Sequence, residues 1–414
     1  CSEGLMNRWL FFWRKMRRQL WVRATAYAVA GVAAALLAAA LAPWVPHEMA
    51  ERLGGESVES ILTILASSLL GVATFSVGAM VTAYTSVSSA ASPRVAALVT
   101  SDDETQKSLA TFVGAFLYAI VAVTAINAHY YGQNGLAILF LVSLVMVGLV
   151  AFRLLAWINR LSSLARVGHM IDLVEARARE ALEQRRDNPF LGGREGHLQN
   201  GADVTAPETG YVQNVDPDRL QAMAEKRDCQ VEVVAAPGAF VRRGEVLARI
   251  SLPACDKEAQ DAFCSAFAIG DSRSYDQDPR FGLIVLGEIA AKALSPGIND
   301  PGTAIQVVST GVRLMDIWAR HGGEDEKRTP RDRLMMPGVS EDDLLDDLFG
   351  PIARYGAGDV AVAIRLQKGL RALASIPCLA APVRTMADQA LERSRAALPI
   401  PADYVRVKGA AEGS

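Results

Sequence analysis

Small and hydroxyl side chains at helical spacing are the plainest chemical feature of this 414-residue chain. Ser60, Thr63, Ser67, Gly71, Thr74, Gly78, Thr82, Thr85 and Ser89 follow one another by steps of three or four, the period of one helix face. In an apolar solvent such a stripe lets a second helix approach closely and hydrogen-bond, or it lines a wetted path. A second constellation is Asp278-Pro279-Arg280-Phe281-Gly282, followed after a helix by the run from Ala293 to Ala304. There Ser295-Pro296-Gly297 stops one helix, and Asp300 before Pro301 caps the next. Asn299 and Asp300 then project at a helix-helix corner. Two readings stay open: a demanding tight turn, or a ligand, ion or partner site using Arg280, Asn299, Asp300 and Thr303.

Enzyme chemistry is not spelled out. The chain has no P-loop, no GxGxxG, no HExxH and no GxSxG. His47 and His129 fall in outer loops, His169 on a stalk, His197 in a linker and His321 in a charged loop, and none accompanies a nucleophile or a carboxylate pair in the sequence. Cys1, Cys229, Cys255, Cys264 and Cys378 are scattered without a CxxC pair, which argues against structural zinc or a disulfide framework. The aspartates between 276 and 300 match no metal-binding loop. No catalytic residue, metal or cofactor is expected. Met6 is a more natural start than Cys1, so residues 1–5 read as an extension.

The elements that must position these residues follow from the distribution of charge. The chain is 51% apolar and 21% charged, and the charges almost vanish between residues 24 and 157. Four apolar stretches, near 24–45, 58–90, 108–128 and 135–157, are long enough to cross a bilayer. Arg8, Arg14, Lys15, Arg17, Arg18 and Arg23 precede the first. Arg94 and Lys107 lie in the second loop, and Arg160 and Arg166 follow the fourth. That pattern puts both termini in the cytoplasm. Trp9, Trp13, Trp21, Trp44, Tyr130, Tyr131 and Trp157 are expected at the interfaces. The second helix exceeds the bilayer thickness and is expected to be the central element. With no Asp, Glu or Lys inside the spans except Glu59 at the edge of the second, an ion-coupled transporter is disfavoured. A net charge of −3 supplies no basic field for nucleic acid.

The remaining chain divides by pattern. Residues 1–23 form a basic cytoplasmic N-terminus, 24–157 the transmembrane domain, and 158–187 an amphipathic helical stalk. A Gly-rich linker over 188–208 leads to a small β-rich module over 209–252, a helical region over 253–400 and a tail over 401–414. Asp216-Pro217 starts a helix inside the β module. The β-rich module, over about 40 residues ending in the 237–250 segment, is similar to the turn-and-strand pattern of biotinyl/lipoyl-type sandwich modules, but lacks a Met-Lys-Met attachment site. The fold class expected is a mainly α membrane protein: four N-terminal transmembrane helices plus a cytoplasmic α+β domain.

With the Ser92-Pro93-Arg94 exit from the second helix, the Gly210-Tyr211-Val212 strand and the Leu-Ser-Pro-Gly-Ile-Asn-Asp-Pro run in order, the chain resembles bacterial predicted membrane proteins of domain-of-unknown-function family 2254. Gly302 departs from the bulkier residue expected there. The resemblance implies a multi-pass inner-membrane protein and supplies no activity. Two functions compete. One is a homo-oligomer in the lipid bilayer acting as a passive conduit, with a cytoplasmic gating or ligand-sensing domain. The other is a membrane-anchored sensor or scaffold that binds a partner or small ligand without transport.

Overall fold

The computed structural model describes residues 20–40, 56–90, 92–100, 103–164, 166–320 and 331–413. It divides into two compact units, residues 1–89 with 93–169, and residues 90–92 with 170–414. The first contains five helices among its described residues: α1 (Leu20–Ala40), α2 (Glu56–Ala90), α3 (Pro93–Thr100), α4 (Asp103–Asn127) and α5 (Gln133–Leu164). Three are long and apolar enough to cross a membrane, over Val58–Ser86, Glu104–Asn127 and Asn134–Asn159, while α1 contributes a shorter apolar stretch, Ala24–Leu37. Residues 41–45, the end of the first expected span, lie outside the described residues.

Within this unit α4 is central and α2 is not, contrary to the sequence expectation. Half of α4's apolar window is buried, against 17% for α2. The reason is a close helix crossing. A Cβ on Gly114 would stand 2.8 Å from the Tyr27 carbonyl oxygen, and one on Gly31 would stand 2.6 Å from that of Gly114. Glycine at both positions lets the α1 and α4 backbones meet, with Ala35, Ala115 and Ala119 buried. Tyr131 donates to the Ala35 carbonyl at 2.7 Å, and Tyr118 and Ser143 share a buried hydroxyl hydrogen bond of 2.9 Å. Tyr131 and Trp157 are thus buried rather than displayed at an interface, whereas Tyr130 is exposed. Trp9, Trp13 and Trp44, and the side chain of Trp21, lie outside the described residues. Glu104 at the start of α4 holds Lys107 at 2.7 Å and Arg153 of α5 at 3.2 Å.

In the second unit the amphipathic helix α6 (Val167–Asp187) is not a free stalk. Its face of Met170, Ile171, Val174, Ala178 and Leu182 is buried. A small module follows, with β1 (Ala202–Thr205), β2 (Gly210–Val215), α7 (Pro217–Lys226), β3 (Val231–Val233), β4 (Phe240–Val241), β5 (Val246–Ile250), α8 (Lys257–Cys264) and β6 (Phe267–Gly270). Strand β1 falls in the stretch expected as a linker, and β6 lies inside the region expected to be helical, 253–400. Two sheets form, ordered β1-β5-β3-β7 and β4-β2-β6, the strand β7 (Leu334–Met335) arriving from beyond residue 330 to pair parallel with β3. Val204, Val212, Leu220, Val231, Leu247 and Phe263 belong to the core of this module.

The helical part comprises α9 (Pro279–Ala293), α10 (Pro301–Ala319), α11 (Glu341–Tyr355), α12 (Val360–Leu373), α13 (Ala380–Ala397) and α14 (Pro401–Glu412). The last is a helix where a tail was expected, and Val407 on it is fully buried. Helix α9 packs on α10 and α11, and α12 on α10, α13 and α14. A Cβ on Gly282 of α9 would lie 2.5 Å from that of Ala178, so glycine there lets α9 sit against α6. The starts are set by aspartates. Asp216, Asp256, Asp300 and Asp359 each accept from the backbone N–H three residues on, at 2.7 to 3.1 Å.

Candidate functional site

The stripe on α2 faces away from the rest of its own unit. Ser60, Thr63, Ser67, Gly71, Thr74, Gly78, Thr82 and Thr85 are all exposed, and the side chain of Ser89 lies outside the described residues. The buried residues Val58, Leu62, Leu65, Leu69, Ser76 and Ala83 centre roughly 180° around the helix from the stripe, at about 100° per residue. A Cβ on Gly71 or Gly78 would meet nothing within 4 Å. The hydroxyls bond their own helix. Ser67 donates to the Thr63 carbonyl at 2.9 Å, Thr74 to Leu70 at 2.9 Å, Thr82 to Gly78 at 3.0 Å and Thr85 to Thr82 at 2.9 Å. The protons of these four hydroxyls are therefore engaged, and their oxygen lone pairs are what they present outward.

The second constellation separates. Arg280 lies in the first turn of α9, and Asn299 follows the far end of that helix, roughly 20 Å away at 1.5 Å per residue. The Arg280 guanidinium is taken by α11. Its Nε and Nη2 donate to Asp347 at 2.6 and 3.1 Å, and its Nη1 to Asp343 at 2.6 Å. These bonds raise the arginine's pKa although burial opposes them. Asp300 and Thr303 do come together, the carboxylate accepting from the Thr303 hydroxyl at 2.6 Å and from its N–H at 3.1 Å. These two bonds hold the Asp300 carboxyl below its usual range. Asn299 adopts a left-handed backbone, φ 51°, which lets the chain reverse between α9 and α10. Gly302 leaves its neighbours room, a Cβ there standing 3.2 Å from Asp300 Oδ1.

Several pairings were invisible in the sequence because their partners are far apart along it. Glu175 on α6 accepts from Arg313 on α10 at 2.9 and 2.6 Å. Burial pushes that carboxyl up, but the bonds and charges of Arg313 and Arg179 outweigh it and leave the pKa low. His197, read as isolated, places Nδ1 2.8 Å from the buried Glu232 carboxylate, which also accepts from the Leu198 N–H at 2.9 Å. Burial raises that carboxyl too, and its hydrogen bonds together with Arg249 outweigh the rise. Cys264 donates to the Thr205 carbonyl at 3.0 Å, and burial pushes its thiol up to about 11, away from thiolate chemistry. Among the described residues no group of three or more His, Cys, Asp and Glu side chains gathers as a metal site.

Three apolar helices of spanning length joined to a separate α+β unit define a membrane protein with a large polar domain. A family model described as predicted membrane protein (DUF2254) matches residues 17–372, and the chain belongs to that family. It is also similar to uncharacterized proteins of Mycobacterium bovis and Mycobacterium tuberculosis, 33% identical over 181 residues, 41% of this chain. The chain spans about a third, 34%, of the length of those relatives. No solved structure matches it.

Proposed function

We propose that the protein is a multi-pass component of the bacterial inner membrane, with four spanning helices and both termini cytoplasmic. In this reading it assembles with copies of itself around α2 to form a passive conduit. The observation that carries the proposal is the outward stripe: eight small or hydroxyl residues, opposite the buried face, open at Gly71 and Gly78. Lipid gains nothing from such a face, whereas a second helix gains close backbone contact and water gains hydroxyl acceptors. No Asp, Glu, Lys or Arg interrupts α2 between Ser60 and Ala90, which supports unassisted passage over ion-coupled transport. The Lys and Arg distribution supports the orientation, and the α+β unit then serves as the cytoplasmic gate or sensor.

The test is cysteine substitution at Thr63, Ser67, Thr74 and Thr82, with Phe75 and Val77 as lipid-facing controls, in membranes treated with an impermeant thiol reagent. Labelled positions are read by mass spectrometry, so that the native cysteines remain in place. A conduit predicts labelling along the stripe deep in the bilayer and none at the controls. Protection of the stripe together with inter-subunit cross-links would replace the conduit with a dry packing seam. In that case the membrane-anchored sensor or scaffold becomes the function.

A further inference from the structure

Within the second unit a cleft of about 380 Å³ opens beside the last turn of α6, a size typical of small-molecule sites. Arg185 lines it and is 5% exposed. This guanidinium is poorly served by protein: its Nε has no acceptor, and Nη2 reaches the Gln277 carbonyl only at 3.4 Å. Among the described residues it forms no ion pair. Asp278, the acid whose charge it feels, is held by Arg273 at 2.7 Å. Burial accordingly draws the Arg185 pKa down, against the pull of Asp278. The Nε is sealed from the cleft, so an anion there would meet only the other guanidinium nitrogens and offset part of the cost of burying the charge.

The cleft also has aromatic walls. Trp318 is held by its indole N–H, which donates to Glu341 at 3.3 Å. Phe190 and Leu191 both sit in the left-handed region, φ 54° and 53°, an arrangement unfavourable for two consecutive residues with side chains. It is fastened by Arg331, which donates to the Leu191 carbonyl at 2.8 Å, and by the Gly193 N–H on the Phe190 carbonyl at 3.0 Å. Arg186, paired with Asp187 at 2.7 Å, and Arg320, paired with Asp316 at 2.6 Å, lie at the cleft, as does the exposed carboxylate of Glu195. The cleft thus brings together a buried guanidinium, aromatic walls and an exposed carboxylate.

We propose that this cleft binds a purine mononucleotide, its phosphate on Arg185 with Arg186 and Arg320 about it, and its ring against Phe190 and Trp318. Glu195 accepts from the ring's N–H groups. Guanidinium forks match phosphate oxygens, and purines present both a stacking face and N–H donors. The site stands whether or not the membrane helices conduct.

Cys378 lines the cleft and is exposed, so it reports occupancy. The full chain in detergent is treated with a thiol reagent in the presence of GMP, AMP, guanosine, UMP or inorganic phosphate, and modification of Cys378 is read by mass spectrometry. A purine mononucleotide is expected to protect Cys378 at least tenfold more effectively than guanosine, UMP or inorganic phosphate. Arg185→Met and, as a surface variant that leaves the core untouched, Arg320→Ala are expected to weaken protection about tenfold and threefold. Thermal unfolding of the unliganded variants checks that each is folded. Equal protection by guanosine, by UMP or by phosphate alone overturns the proposal, as does no protection by either purine nucleotide.

Discussion

In the helices of residues 20–164 serine and threonine hydroxyls such as Ser67, Thr74, Thr82 and Ser143 bond carbonyls of their own helix, while Tyr131 reaches across to Ala35 and Glu104 near a helix start holds Lys107 and Arg153. In residues 170–414 the side chains reach far along the chain. Glu175 meets Arg313, Arg280 meets Asp347, and Arg331 meets Asp218. The contrast follows from the medium each must tolerate. A helix in hydrocarbon must satisfy its polar groups locally before it meets any partner, whereas a water-facing unit can leave charges exposed until folding brings them together. Shape does the work of specificity in the first unit and charge in the second.

The largest effect is expected where shape alone decides. Gly114→Leu drives a side chain into the Tyr27 backbone, which lies 2.8 Å from the first added carbon. Backbone cannot step aside as a side chain can, so the loss of stability should be about 3 kcal/mol or more. Unfolding of the purified protein by graded SDS in mixed micelles measures it. A variant that unfolds with the parent would show that the α1–α4 crossing is loose, and would remove the basis of the comparison.

Charge should matter next. Arg313→Met leaves the Glu175 carboxylate, which is only 11% exposed, without its main partner. Removing one member of a fully buried pair costs about 3–5 kcal/mol. Here about 2 kcal/mol is expected because Arg313 is 52% exposed and screened by water. The same pair sets a pH dependence. Glu175 and Glu232 have folded pKa values below the ordinary one, so their stabilisation is full above the unfolded pKa of about 4.3 and is lost as pH falls through the folded values. Thermal unfolding of the parent should fall away below about pH 4.5, with a shallower slope in Glu175→Gln. Equal slopes would mean that Glu175 is not an ionised partner of Arg313.

A smaller change is expected at the α9–α10 corner. Asp300→Ala removes the cap on α10 and should cost about 1 kcal/mol, whereas Asp300→Ser keeps an acceptor and most of the stability. A loss no greater for Ala than for Ser would mean that the carboxylate is held there for something other than capping the helix.

These contrasts also mark what the sequence could and could not reveal. The apolar spans and the caps at Asp216 and Asp300 are legible because each depends on neighbours within a turn or two. The placement of Gly31 and Gly114 is not, since single glycines in two apolar helices do not say that they face each other. The stripe from Ser60 to Ser89 was plain as a period, yet period alone does not tell inside from outside. It took the buried face at Val58, Leu62 and Leu69 to turn it outward. The pairing of His197 with Glu232 spans a linker and a strand, and no local pattern encodes it. Arg280 reads naturally with the residues of the nearby corner until α9 carries it to the opposite end.

The smallest effect on the single chain tests the comparison most sharply. Gly78→Leu adds a bulky side chain where nothing stands within 4 Å, and leucine favours helix over glycine by nearly 1 kcal/mol. The stability of the isolated protomer should therefore be unchanged or slightly higher, in direct contrast to Gly114→Leu. If α2 stripes pack against one another, native mass spectrometry of the variant should show the assembly lost while the protomer remains folded. If they surround a wetted path wide enough to take the side chain, the assembly should persist and its permeability to small solutes in vesicles should fall, because an apolar constriction dewets a pore. A variant unchanged in both would leave the stripe facing lipid, its hydroxyls content with their own helix. The membrane unit would then be an anchor whose specificity ends at the α1–α4 crossing.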